Sequence, residues 1–133
     1  MIMIVGDSSF EWIDETDKQG RKLVRVRETF DLAITPEARI SIPKDYVSNL
    51  GSIPRALYFL VSPSDIGPEA IVHDYLTREY FGIGPRPAYT VPRSIADAFF
   101  RELLLSNKSV PRWRAKWVYA AVRFWARKNG IEE

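Results

Sequence analysis

The chain has 133 residues, 46% hydrophobic and 27% charged, which fits one folded domain around one core and excludes a chain disordered throughout. It contains no cysteine, so disulfides, thiolate metal sites and cysteine nucleophiles are excluded outright. The net charge is only +2, yet residues 107–130 carry seven lysines and arginines and no acid.

Residues 1–5 form a short apolar run, expected as a buried strand or a tail packed on a sheet. They lack the basic start and long apolar centre of a signal peptide. No apolar run approaches the ~20 residues of a membrane span. The expected location is therefore the cytoplasm of the cell that makes the protein. Gly6-Asp7-Ser8-Ser9 reads as a turn, and Phe10-Glu11-Trp12-Ile13-Asp14 as a strand. A polar connection ending at Gly20 follows. Residues 22–34 read as one long strand, with Leu23, Val24, Val26, Phe30, Leu32 and Ile34 supplying the apolar side chains. Pro36 breaks it, and Arg39-Ile40-Ser41-Ile42 alternates once more before Pro43. The short connections predict an antiparallel meander.

Residues 42–55, Ile-Pro-Lys-Asp-Tyr-Val-Ser-Asn-Leu-Gly-Ser-Ile-Pro-Arg, are too irregular for a plain strand or helix. They join a β-rich segment, residues 1–43, to a helical one, residues 54–128. Four helices are expected there: a short one over 54–60, then 68–80, 92–106 and 110–128. In the third, Ile95, Phe99 and Leu103 with Ala96, Phe100 and Leu104 form the expected core stripe. In the last, Trp113, Trp117, Ala120, Ala121, Phe124 and Trp125 do so. Residues 81–91, with two glycines and two prolines, predict a loop. Helices laid over the sheet give an α+β domain spanning residues 1–133: a small N-terminal antiparallel meander covered by about four C-terminal helices.

The one histidine, His73, is the natural group for proton transfer near neutral pH. Its neighbour Asp74 lies about 100° further round a helix, so the two side chains do not face each other. A helix-buried, hydrogen-bonded histidine is the simpler reading. A hydrolytic site would use His73 with Asp74 or Asp97. Ser52 fits a helix cap better than a nucleophile, because Leu50-Gly51-Ser52-Ile53-Pro54 is not a Gly-x-Ser-x-Gly elbow. One histidine and no cysteine predict no metal site and no cofactor; a divalent cation held by His73 with Asp74 or Asp97 is the weaker alternative. Arg93, Asp97 and Arg101 stand at successive i,i+4 steps, the spacing of a solvated ion-pair ladder. Burial of Arg93 or Asp97 near His73 would change that reading. The C-terminal basic residues Lys108, Arg112, Arg114, Lys116, Arg123 and Arg127 could meet nucleic acid phosphates. A basic solvent face on an amphipathic helix is the commoner outcome.

The run Ile42-Pro43 to Ser52-Ile53-Pro54-Arg55, then His73-Asp74-Tyr75-Leu76, then Arg93-x-x-Ala96-Asp97-x-x-Phe100, resembles the phage and prophage proteins grouped as domain of unknown function 1353. The resemblance spans about residues 23–124. That family tends to show Val-Pro-x-Gly-Phe-x-Thr-Asp-x-Ala-Ser-Ile-Pro-Arg, His-Asp-Tyr-Leu-Tyr and Arg-x-x-Ala-Asp-x-x-Phe. Here Tyr46 stands for the aromatic, Ser48 for the threonine, Asp45 for the glycine, Gly51 for the alanine, Thr77 for the last tyrosine and Asn49 for the aspartate. Asn49 keeps a hydrogen-bonding role but not a charge.

The resemblance implies a phage setting and no particular activity. It groups Asn49, Ser52, Arg55 and Arg93, as binding residues, with His73, Asp74 and Asp97 in one polar cluster. The expectation is a binding or assembly module, virion-associated (tail or connector) or acting on a host protein. Its polar cluster would be architectural, and its working surface would be the basic helix or the 81–91 loop. The alternative is a small hydrolase with the cell wall as its candidate target. A protein partner is expected before nucleic acid. The setting is the cytoplasm of an infected or lysogenic host, or the virion.

Overall fold

A computed structural model describes residues 2–16, 22–48, 66–77, 91–108 and 110–128. Six strands precede three helices: β1 Met3–Val5, β2 Phe10–Thr16, β3 Lys22–Val26, β4 Phe30–Ala33, β5 Arg39–Ile42, β6 Val47–Ser48, α1 Gly67–Leu76, α2 Arg93–Ser106 and α3 Arg112–Lys128. The α+β class holds. The described helices number three, not about four; the helix expected over 54–60, with Ser52, Arg55 and Asn49 before or within it, lies outside the described residues.

The expected single meander is corrected. Among the described residues there are two three-stranded antiparallel sheets, ordered β1-β4-β5 and β2-β3-β6. The long strand read over 22–34 breaks at Arg27-Glu28-Thr29, three consecutive polar residues with nothing to bury. β3 then pairs with β2, Phe10 opposite Val26, while β4 pairs with β5, Phe30 opposite Ile42. β1 completes the first sheet, Ile4 opposite Leu32, as an apolar N-terminal run should. The irregular stretch after Pro43 is folded back on β3. Asp45 donates its N–H to the Val26 carbonyl, and Val26 donates to Tyr46, both at 2.9 Å. The turn there needs a left-handed residue, and Asp45 takes φ 71°. Aspartate tolerates that region better than most side chains, and glycine, which the resembled family carries at this position, tolerates it best.

Val24, Val26, Phe30, Leu32, Ile40, Ile42 and Tyr46 meet Ala70, Ile71, Val72, Tyr75 and Leu76 of α1 and Ala96 and Leu103 of α2 in the main core. α1 is buried along nearly its whole length; only Pro68 is partly exposed. Gly67 opens α1 against the Phe10 ring, where a Cβ would collide with it. A second cluster joins Phe100 and Leu104 of α2 to Ala115, Val118 and Val122 of α3. α2 thus packs between α1 and α3. Its buried face is Ala96, Phe100, Leu103 and Leu104 together with Arg93 and Asp97, while Ile95 is exposed.

The expected aromatic core stripe of α3 is also corrected. Trp113, Trp117 and Phe124 are 55%, 64% and 67% exposed. The buried stripe is Ala115, Val118 and Val122, at i, i+3 and i+7, about 140–200° round the helix from Trp113. Small and β-branched side chains let α3 approach α2 closely, which indoles at those positions would prevent.

Candidate functional site

His73 and Asp74 sit at the centre of α1, and their angular separation sends them to different partners. His73 faces the other helices. Its Nε2 lies 2.5 Å from Asp97 Oδ1 on α2, and its ring stacks at a tilt on Phe100, 5.0 Å between centroids. Asp74 faces the sheet. Its Oδ2 accepts from the Tyr46 hydroxyl at 2.9 Å and the Ser48 hydroxyl at 2.8 Å. Thr77 closes the C-terminal turn by donating its hydroxyl to the Asp74 carbonyl.

Asp97 collects three donors from three helices. Arg93, one turn earlier on α2, donates Nε to Oδ1 at 2.9 Å. Arg123 of α3 donates Nη1 to Oδ2 at 2.7 Å. The side chains of His73 and Asp97 are fully buried, that of Arg93 nearly so and that of Arg123 mostly so. The expected solvated ladder is therefore corrected. Arg93 and Asp97 form a buried pair, and Arg101 instead lies beside Glu102 at 3.9 Å, with its guanidinium over the Tyr119 ring.

The electrostatics follow from that burial. Desolvation pushes the His73 pKa below its ordinary 6.5, against the pull of the Asp97 hydrogen bond, so the imidazole is neutral at pH 7. It then donates Nε2–H to an ionised Asp97. Burial alone would raise the Asp97 carboxyl. The His73 hydrogen bond and, once the imidazole is protonated, its charge, with the Arg123 hydrogen bond and the charge of Arg93, outweigh it and bring the pKa to about 2. Both Asp97 oxygens are occupied by nitrogen donors, so a metal bound there would have to displace a guanidinium. The arrangement can hold three helices and a strand in register; its imidazole does not face solvent.

Of the sequence-predicted site residues, the fold brings His73, Asp97 and Arg93 together and places Asp74 next door with its own partners. Asn49, Ser52 and Arg55 lie outside the described residues, as do residues 81–90 of the expected loop. Sequence reasoning missed Arg123, counted only as a surface cation, and the hydroxyls of Tyr46 and Ser48 as ligands of Asp74. A signal for the latter was present, because both occupy positions in the resembled motif.

α3 presents the other candidate surface. Trp113, Trp117 and Phe124, at i, i+4 and i+11, form one exposed row on a helix with no acid between residues 112 and 128. Arg114 lies over the Trp113 ring at 5.3 Å, while Arg112, Lys116, Arg127 and Lys128 are exposed. No helix among the described residues is long and apolar enough to cross a membrane.

The family described as protein of unknown function DUF1353 matches residues 24–122. The chain belongs to this family. The match runs from β3 into α3 and takes in every partner named in the His73 and Asp74 clusters except Arg123, which lies one residue beyond it. No curated protein and no solved structure matches the chain.

Proposed function

We propose that this DUF1353 protein is a phage- or prophage-encoded binding or assembly module, virion-associated or directed at a host protein, and that it engages its protein partner through the outer face of α3. The observation that carries the reading is the exposed row of Trp113, Trp117 and Phe124. Large aromatics left in water along a single helix face are the composition of interface anchors, since burying each against a partner recovers far more area than any other side chain could. The basic residues around them favour a partner surface with acidic groups. The buried imidazole favours this reading over a hydrolase, because a general base needs to reach the proton it removes.

A photo-crosslinking residue placed at Trp117, in the bacterium that carries the gene, tests the reading. One discrete protein adduct is expected, absent when the same residue sits at exposed Glu37 in the β4–β5 turn. The identified partner should no longer co-purify with the Trp117→Ser, Phe124→Ser variant, although that variant keeps its melting temperature. The same adducts at both positions, or undiminished co-purification, would overturn it. Adducts to nucleic acid alone would move the assignment to the basic residues.

A further inference from the structure

On the opposite side of α2 from α3, the last turn of α2 meets the first turn of α1 and the edge of β1. A pocket of about 270 Å³ opens there, lined by Met3, Ile4, Glu69, Leu103, Ser106 and Asn107. Its walls are of two kinds. Met3, Ile4 and Leu103 are aliphatic. Glu69, Ser106 and Asn107 are polar, and they stand at the C-terminal end of α2.

Glu69 is 7% exposed and its two oxygens differ. Oε1 accepts from Asn107 Nδ2 at 2.7 Å. Oε2 is buried and has no hydrogen-bond partner among the described residues. No basic side chain among the described residues acts on the carboxyl. Burial raises its pKa, opposed by its own backbone N–H at the start of α1 and by Asn107. A carboxylate oxygen buried without a donor loses its hydration and gains no hydrogen bond in exchange. The neighbouring helix end adds partial negative charge, and α2 has no basic residue in its last turn to answer it. The site lacks one thing, a cation with N–H donors.

We infer that the pocket between β1 and the facing ends of α1 and α2 is a receptor for an ammonium or guanidinium group on an aliphatic stem, the chemistry of a lysine or arginine side chain. The cationic head would donate to Glu69 Oε2 and lie at the carbonyl end of α2. The stem would lie along Met3, Ile4 and Leu103. Arriving charge would hold Glu69 ionised and end the isolation of its buried oxygen. This site is separate from the aromatic face of α3 and does not depend on what that face binds.

Amide chemical-shift titration of the full chain with Nα-acetyl-lysine-N-methylamide and its arginine counterpart tests this, with the norleucine analogue as the uncharged isostere. Saturable shifts at Glu69, Ser106 and Asn107 are expected with one or both cationic probes and not with norleucine, and at least tenfold weaker binding in Glu69→Gln. Ser106→Lys supplies a second test that needs no ligand. Ser106 is exposed at the pocket edge, so the tethered ammonium should occupy the site, block the probe and raise the melting temperature. The rise should shrink in the Glu69→Gln background. No saturable shift at tens of millimolar, equal response to norleucine, or an equal effect of Ser106→Lys with and without Glu69 would each overturn the inference.

Discussion

α1 and α3 invert the usual division of a helix. α1 hides His73, Asp74 and Glu69 inside the protein, whereas α3 shows its two exposed tryptophans and Phe124 to water. α1 lies between the sheets and α2 and has almost no outer face, so its polar residues had to find partners within the fold. α3 lies at the edge of the helical layer and touches α2 through alanine and valine. Polar groups inside here hold elements together, and apolar groups outside are available to a partner. Residue chemistry alone therefore misassigns the faces of α3; position in the layers decides.

The largest effect that could break this contrast is at Asp97. Asp97→Ala removes the carboxylate to which the buried Arg93 and the mostly buried Arg123 both donate, and removal of one partner from such a cluster costs about 3–5 kcal/mol. Urea denaturation should show that loss; a change under 1 kcal/mol would mean the cluster is not holding the helices. Asp74→Ala is expected to be milder, about 2–3 kcal/mol, because it takes an acceptor from two neutral hydroxyls, those of Tyr46 and Ser48, rather than from charged groups. Phe replacing Tyr46 in that background should recover part of the loss.

Acid should separate the two ionisable members of the cluster. The folded-state pKa of His73 is depressed below 6.5, so the unfolded chain binds the proton first. Its contribution is complete above pH 6.5 and declines as pH falls below that value. Asp97 is also depressed, from 3.8 to about 2, so its contribution is complete above about pH 4 and is lost as pH falls toward 2. Thermal unfolding across pH 7 to 2 should thus weaken in two steps, and His73→Gln should remove the upper one. A wild-type melting temperature flat between pH 7 and 5 would contradict a buried neutral imidazole. At the far end of the scale, Trp113→Ser and Trp117→Ser should each change stability by under about 0.5 kcal/mol, as surface substitutions do. A loss above 1 kcal/mol would place these indoles in the core after all.

Much of this was readable from the chain. Gly67-Pro68 marked the start of α1 because proline suits a first helical turn, and the four-residue step from Arg93 to Asp97 put both on one face of α2. The resembled motifs pointed to His73, Asp74, Arg93 and Asp97 as one region. The break between β3 and β4 was less legible: hydrophobic alternation ran on to Ile34, and only the polar run 27–29 hinted that the chain changes sheets. α3 was ambiguous from the start, since its sequence carries two stripes, one aromatic and one aliphatic, on roughly opposite faces. Burying the larger side chains would recover more area, which favours the wrong face.

By itself, then, the sequence determined a β-rich half followed by a helical half, the α+β class and the shared face of Arg93 and Asp97, because periodicity, proline positions and residue spacing are local properties. Only the tertiary structure decided the split into two sheets, the burial of the Arg93–Asp97 pair, the recruitment of Arg123, Tyr46 and Ser48, and the outward turn of the α3 aromatics. Each of these depends on which face of an element meets a neighbour, and how closely. That is set by packing among segments far apart in the chain and leaves no periodic trace in any one of them.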